Sequence, residues 1–135
     1  MTEGGTAPQP RDPEAEVSGY HAHIYYDPAT TRDRAERLRA AVGERFPQAV
    51  LGRLHDVPVG PHPGPMYQIA FPVKLFPTLV PWLMLNREGL TVLVHPETHD
   101  ARADHLDHAV WMGEVLLLDA SVLPAPTGER QAGRR

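Results

Sequence analysis

The hydrophobic period of this chain switches repeatedly between two residues and three-to-four, and the order of those switches constrains its fold more than any bulk property. Residues 20–26 (YHAHIYY) alternate and are rich in aromatic and β-branched side chains, which predicts a strand. Asp27-Pro28 breaks it. Thr31 is placed to cap a helix, and Ala35, Leu38, Val42 and Phe46 then recur at steps of three and four until Pro47 stops the pattern. Residues 49–55 (AVLGRLH) read as a second strand, followed by the loop DVPVGPHPGP, whose prolines and glycines exclude regular structure. Residues 66–71 (MYQIAF) form a third strand. A helix interrupted by Pro77 and Pro81 follows over about 73–87, kinked or split into short turns. Residues 90–95 (LTVLVH) make a fourth strand. Residues 104–113 read as a late helix capped by Asp104, and residues 115–118 as a short apolar appendage.

The order β-α-β-β-α-β predicts an α+β domain of the ferredoxin-like split type, with sheet order 4-1-3-2. In this reading strands one and three lie parallel at the centre and the helices cover one face. The open face invites pairing with a second copy, a homodimer. The 135 residues suit a single domain. Residues 1–19 and 124–135 are too poor in apolar side chains to pack, so a disordered leader and tail are expected around a folded segment at 20–123. No apolar run approaches the roughly 18 residues of a membrane span, and the leader has no secretory h-region, which makes a cytoplasmic location the default. A net charge of −4 argues against nucleic acid as a partner. The absence of cysteine excludes disulfides, thiolate nucleophiles and cysteine-ligated metals.

Eight histidines, all between His21 and His108, are the chemical signal. Spacing of two places His21 and His23 on one face of the first strand. Ala22 and Ile24 suit the helix-covered side, so the two imidazoles look onto the other. On the predicted topology, His55 at the end of strand two, His62 before strand three and His95 at the end of strand four reach the same rim of the sheet. Any one of these histidines alone is more simply a structural or surface residue. Five together suit a divalent metal, because neutral imidazole is its commonest protein ligand. Two or three histidines plus a carboxylate, with open coordination positions left over, is the arrangement of non-haem iron oxygenases. Glu97 and Asp104 are the carboxylates nearest in sequence. Trp82 and Trp111 read first as core anchors, with substrate stacking the lesser reading; Arg53 reads first as a surface cation and second as a partner for a substrate carboxylate.

The segments HAHIYY, GRLHDVPVGPHPGPMYQIAF, PWLMLNREGLTVLVHPETHD and DHLDHAVWMGEVLLLD, in that order, resemble the DOPA 4,5-dioxygenase family over nearly all of residues 20–123. The HxH matches His21 and His23, the GPHP loop His62, VLVHP His95, and the DH of the late helix Asp104 and His105. The resemblance implies a ferredoxin-like fold and extradiol opening of a catechol such as L-DOPA with O2 and Fe(II), zinc being a possible substitute. Under that implication His21, His23 and His95 are assigned as metal ligands, and His62 as acid/base. His55 and His105 support it, and Arg53 and Trp82 contact the substrate. A non-enzymatic metal-binding protein, or a dimeric small-molecule binder of the same fold, is the alternative. A cofactor-free monooxygenase ranks behind both.

Overall fold

The computed structural model describes residues 7–125. Helix α1 (Pro13–Glu16) is one turn, capped by Asp12, whose side chain accepts from the Glu14 N–H. It precedes strand β1 (Gly19–Tyr25), helix α2 (Arg32–Arg45) and the short strand β2 (Val50–Leu51). Strand β3 (Met66–Phe71), helix α3 (Phe76–Asn86), strand β4 (Val92–Glu97), helix α4 (Ala101–Leu106) and strand β5 (Val110–Met112) complete the order. The segment expected to be a featureless leader thus carries a helical turn, and the Ser18 N–H donates to the Glu97 carbonyl just before β1 begins. The expected tail lies, apart from residues 124 and 125, outside the described residues.

The five strands form one sheet in the order β2-β3-β1-β4-β5, and every neighbouring pair is antiparallel. The expectation that β1 and β3 run parallel is therefore corrected: Tyr20 pairs with Phe71 and Tyr25 with Met66. The fifth strand was read as the end of a helix. Two aspartates four residues apart can each cap, and Asp100 does so, accepting from the Ala103 N–H. That starts α4 three residues early and ends it at Leu106. Val110, Trp111 and Met112, a β-branched and aromatic run, then pair with β4 instead. Strand β2 is shorter than predicted, because after Leu51 the chain keeps only the Gly52 bond to the Gln68 carbonyl and a His55–Met66 bridge. Helix α3 is continuous despite Pro81, with Pro77 at its first turn, where a missing N–H costs nothing.

One face of the sheet carries the main core. Ala22, Ile24, Tyr67, Ile69, Val92 and Val94 meet Ala35, Leu38 and Val42 of α2 and Leu79, Val80 and Leu83 of α3, all buried. The opposite face is not bare, as expected from sequence, but partly roofed. Tyr25, Met66, Leu93 and Leu118 form a smaller cluster there, with Val59, Ala109, Trp111 and Leu116 against it. None of the described helices is long and apolar enough to cross a membrane.

Candidate metal centre

The histidines gather on this second face. His21 and His23 alternate with Ala22 and Ile24 on β1, so the period-two reading places them correctly opposite the core. His95 is the register partner of His21 across the β1–β4 ladder. His62 comes in from the proline-rich loop and His105 from α4, whose ring centroid lies 4.0 Å from that of His95. The His23 ring lies 4.1 Å from that of His62 and 5.1 Å from that of His95. The convergence expected at one rim thus occurs on a face, and for a different reason. Because β1 and β3 are antiparallel, the start of β3 meets the end of β1, and His62 reaches the cluster beside Tyr25 rather than beside His21. His55 stays at the edge of β3, bridged to Met66, close enough to His62 to act on it electrostatically. His105, matched to this site only through the family resemblance, takes the inner place that the rim geometry gave to His55.

Two sets of three histidines have nitrogens within 4.8 Å of one another, His21 with His23 and His95, and His23 with His62 and His105. His23 belongs to both. Its Nε2 lies 3.1 Å from His95 Nε2, and its Nδ1 is buried without a partner among the described residues. The hydrogen bonds around the cluster decide where lone pairs point. The Pro96 carbonyl can only accept, so His95 Nδ1 donates to it (2.9 Å) and keeps its lone pair on Nε2. His105 Nδ1 donates in the same way to the Ala101 carbonyl (2.7 Å). Such anchoring of the outer nitrogen is the usual support for a metal-binding imidazole. Glu97 sits behind the pair, its carboxylate 3.4 Å from His21 Nδ1 and 3.6 Å from His95 Nδ1.

Burial and mutual repulsion keep His21, His23, His62 and His95 neutral. Desolvation first, then neighbouring histidines, pull His62 down to about 4 and His95 to about 3. The same causes push His23 well below its ordinary value and lower His21. Burying polar groups with unmatched lone pairs is costly, and proteins tolerate that cost mainly where a function requires it. The arrangement fits a divalent ion: the Nε2 atoms of His23 and His95 lie 3.1 Å apart, a separation two ligands of one ion can adopt once it replaces the shared proton, given bonds of about 2.1 Å. The orphaned His23 nitrogen shows that the present contacts do not exhaust the donors. Neither Glu97 nor Asp104 joins the two sets of mutually close donors.

Asp104 is instead a buried latch, its carboxylate accepting from the Thr98 N–H (2.9 Å) and hydroxyl (2.6 Å) and fixing α4 against the end of β4. Tyr25, two residues beyond His23 on the same face, hydrogen-bonds His62 Nδ1 at 2.6 Å and was not singled out from sequence. Its position, in step with His21 and His23, is the signal that would have found it. Trp82 is not brought to the histidines. It packs on the helix side against Phe46, ring centroids 5.6 Å apart, while Arg53 is exposed and forms no ion pair among the described residues.

This is a small α+β protein with a five-stranded antiparallel sheet and a histidine cluster able to hold a metal. Residues 20–122 match the Dopa 4,5-dioxygenase family, and the chain belongs to it. It is 32% identical over 123 residues to a DOPA 4,5-dioxygenase of Amanita muscaria and 34% identical over 114 residues to an uncharacterized 21.2 kDa protein of Botryotinia fuckeliana. The alignments cover 86% and 77% of this chain but only 54% and 62% of those relatives. A crystal structure from Nostoc punctiforme, provisionally described as a dioxygenase, superimposes with a TM-score of 0.80 at 48% identity. It covers 92% of this chain and 100% of that one. These names point to a dioxygenase-type function.

Proposed function

We propose that the protein is a metal-dependent extradiol-type dioxygenase that opens the ring of a catechol such as L-DOPA or a related small phenol. The observation that carries this reading is the set of neutral, mutually facing imidazoles on one sheet face, with a buried His23 nitrogen left unpartnered. His21, His23 and His95 hold the ion, since two adjacent strands fix all three and only His21 among them is partly exposed, where substrate enters. Ferrous iron held by these residues would supply Lewis-acid and redox chemistry between a catechol and O2. His62, neutral because burial holds it to about 4, takes the catechol proton only as the catecholate charge forming beside it raises its proton affinity. When its Nδ1–H donates to the Tyr25 oxygen, its Nε2 lone pair is left free beside His23. Burial pushes the Tyr25 phenol up, so it remains protonated and orients the ring without competing as a base. His105 closes the far side of the cluster over His95, and His55 biases His62 from the loop. A second copy packed on the incompletely roofed histidine face would make a homodimer.

The test is anaerobic reconstitution with Fe(II), followed by L-DOPA, caffeate and protocatechuate under O2. Stoichiometric iron and a yellow ring-opened product are expected; absence of bound iron defeats the reading. His62→Ala should retain iron and lose turnover. The histidine-only donor set also suits a closed, four-coordinate zinc clip without enzymatic activity. A nitric oxide adduct of the ferrous protein, seen by EPR, decides for an open position.

A further inference from the structure

A cleft of about 300 Å³ opens beside His21, lined among others by Ser18, Gln48, Ala70, Phe71 and Glu97. His21 and Glu97 both line it and are partly exposed, 24% and 37% of their side chains, so the cleft borders the accessible edge of the histidine cluster. Its lining holds one carboxylate and neither lysine nor arginine. A catechol whose ring oxygens reach the cluster past His21 would leave its ring substituent in this cleft.

We propose that Glu97 sets the charge preference of the substrate: the cleft takes catechols whose side chain carries a protonated amine and disfavours those whose side chain ends in a carboxylate. This rests on the dioxygenase reading of the same site. An ammonium group gains a partly desolvated carboxylate partner, whereas a substrate carboxylate would lose water against a like charge with no cation to receive it. A zwitterionic amino acid falls between the two.

The experiment compares the iron-loaded protein on 4-(2-aminoethyl)catechol and 3-(3,4-dihydroxyphenyl)propionate. The amine is expected to have the higher kcat/KM by about tenfold, a margin that shrinks with added salt. Glu97→Gln should bring the ratio towards unity. Because Glu97 also supports His21, a second variant avoids the cluster: Gln48→Arg, on the exposed wall of the same cleft, should shift the ratio towards the acid. A wild-type preference for the acid, or a ratio unmoved by both variants, overturns the proposal. If iron binds and neither catechol turns over, the dioxygenase reading fails separately. The charge preference is then read from the two dissociation constants by calorimetry, and equal affinities or no binding overturn it.

Discussion

The two faces of one sheet are built from the same strands, and they spend their side chains differently. On the helix side, Ala22, Ile24, Ile69 and Val92 are fully buried among apolar neighbours and need no partners. On the opposite face of β1 and β4, His23 and His95 are buried as tightly and His21 only partly, yet with nitrogens facing nitrogens. The first face stabilises the fold. The second is kept by the stability of the first and does not add to it. If that division is right, substitutions on the two faces should separate stability from ion binding.

The largest effect is expected from His23→Leu. His23 belongs to both histidine sets, so its removal should abolish stoichiometric metal binding and all turnover. Metal-free thermal stability should change by no more than about 1 kcal/mol, because removal of a buried unpartnered Nδ1 offsets the loss of the 3.1 Å contact to His95 Nε2. Metal analysis and a melting curve on the same sample check both halves. A large drop in metal-free stability would show that the histidine face is structural after all.

Leu83→Ala is the converse. Leu83 is fully buried on α3 against the core face, and its truncation should cost about 2–5 kcal/mol by denaturant unfolding. Metal stoichiometry in the fraction that remains folded should be unchanged.

The contrast also predicts a pH response. An unfolded histidine takes up a proton near pH 6.5, while in the native protein burial holds His62 to about 4 and His95 to about 3. As pH falls through this window the unfolded chain binds protons the native chain refuses, so metal-free stability declines from about 6.5 downward. Above it these groups contribute no slope. His95→Leu should flatten the decline, read as Tm against pH; an unaltered profile would assign the acid sensitivity elsewhere.

The same division explains what was legible in the sequence. Period two on β1, with Ala22 and Ile24 as reference, placed His21 and His23 on the right face, because a strand offers only two. The direction of β3 relative to β1 was misread. Hydrophobic alternation is identical for parallel and antiparallel neighbours, so the rim argument that gathered the histidines had the wrong cause. Strand β5 is hidden because Asp104 resembles a cap, whereas Asp100 accepts from the Ala103 N–H and begins the helix, leaving Asp104 free to latch onto Thr98. His105 was matched through the family resemblance, but its contact with His95 depends on how α4 folds back on β4, a tertiary fact with no local signature.

Tyr25→Phe is expected to have the smallest effect and sharpens the comparison most finely. Tyr25 belongs to the apolar cluster of the histidine face through its ring, stacked with Trp111 at 5.9 Å, and to the site through its hydroxyl alone. The variant keeps the ring and deletes the 2.6 Å bond to His62. Loss of one such bond in a buried pair is worth about 1 kcal/mol, so kcat should fall several-fold while iron content and KM stay near wild type. The pH profile of kcat should shift as well, since His62 loses its hydrogen-bond partner at Nδ1. If Tyr25→Phe lowers stability and leaves kcat and its pH profile untouched, the hydroxyl belongs to packing. The boundary between the two functions of this face then runs between Tyr25 and His62 rather than outside them.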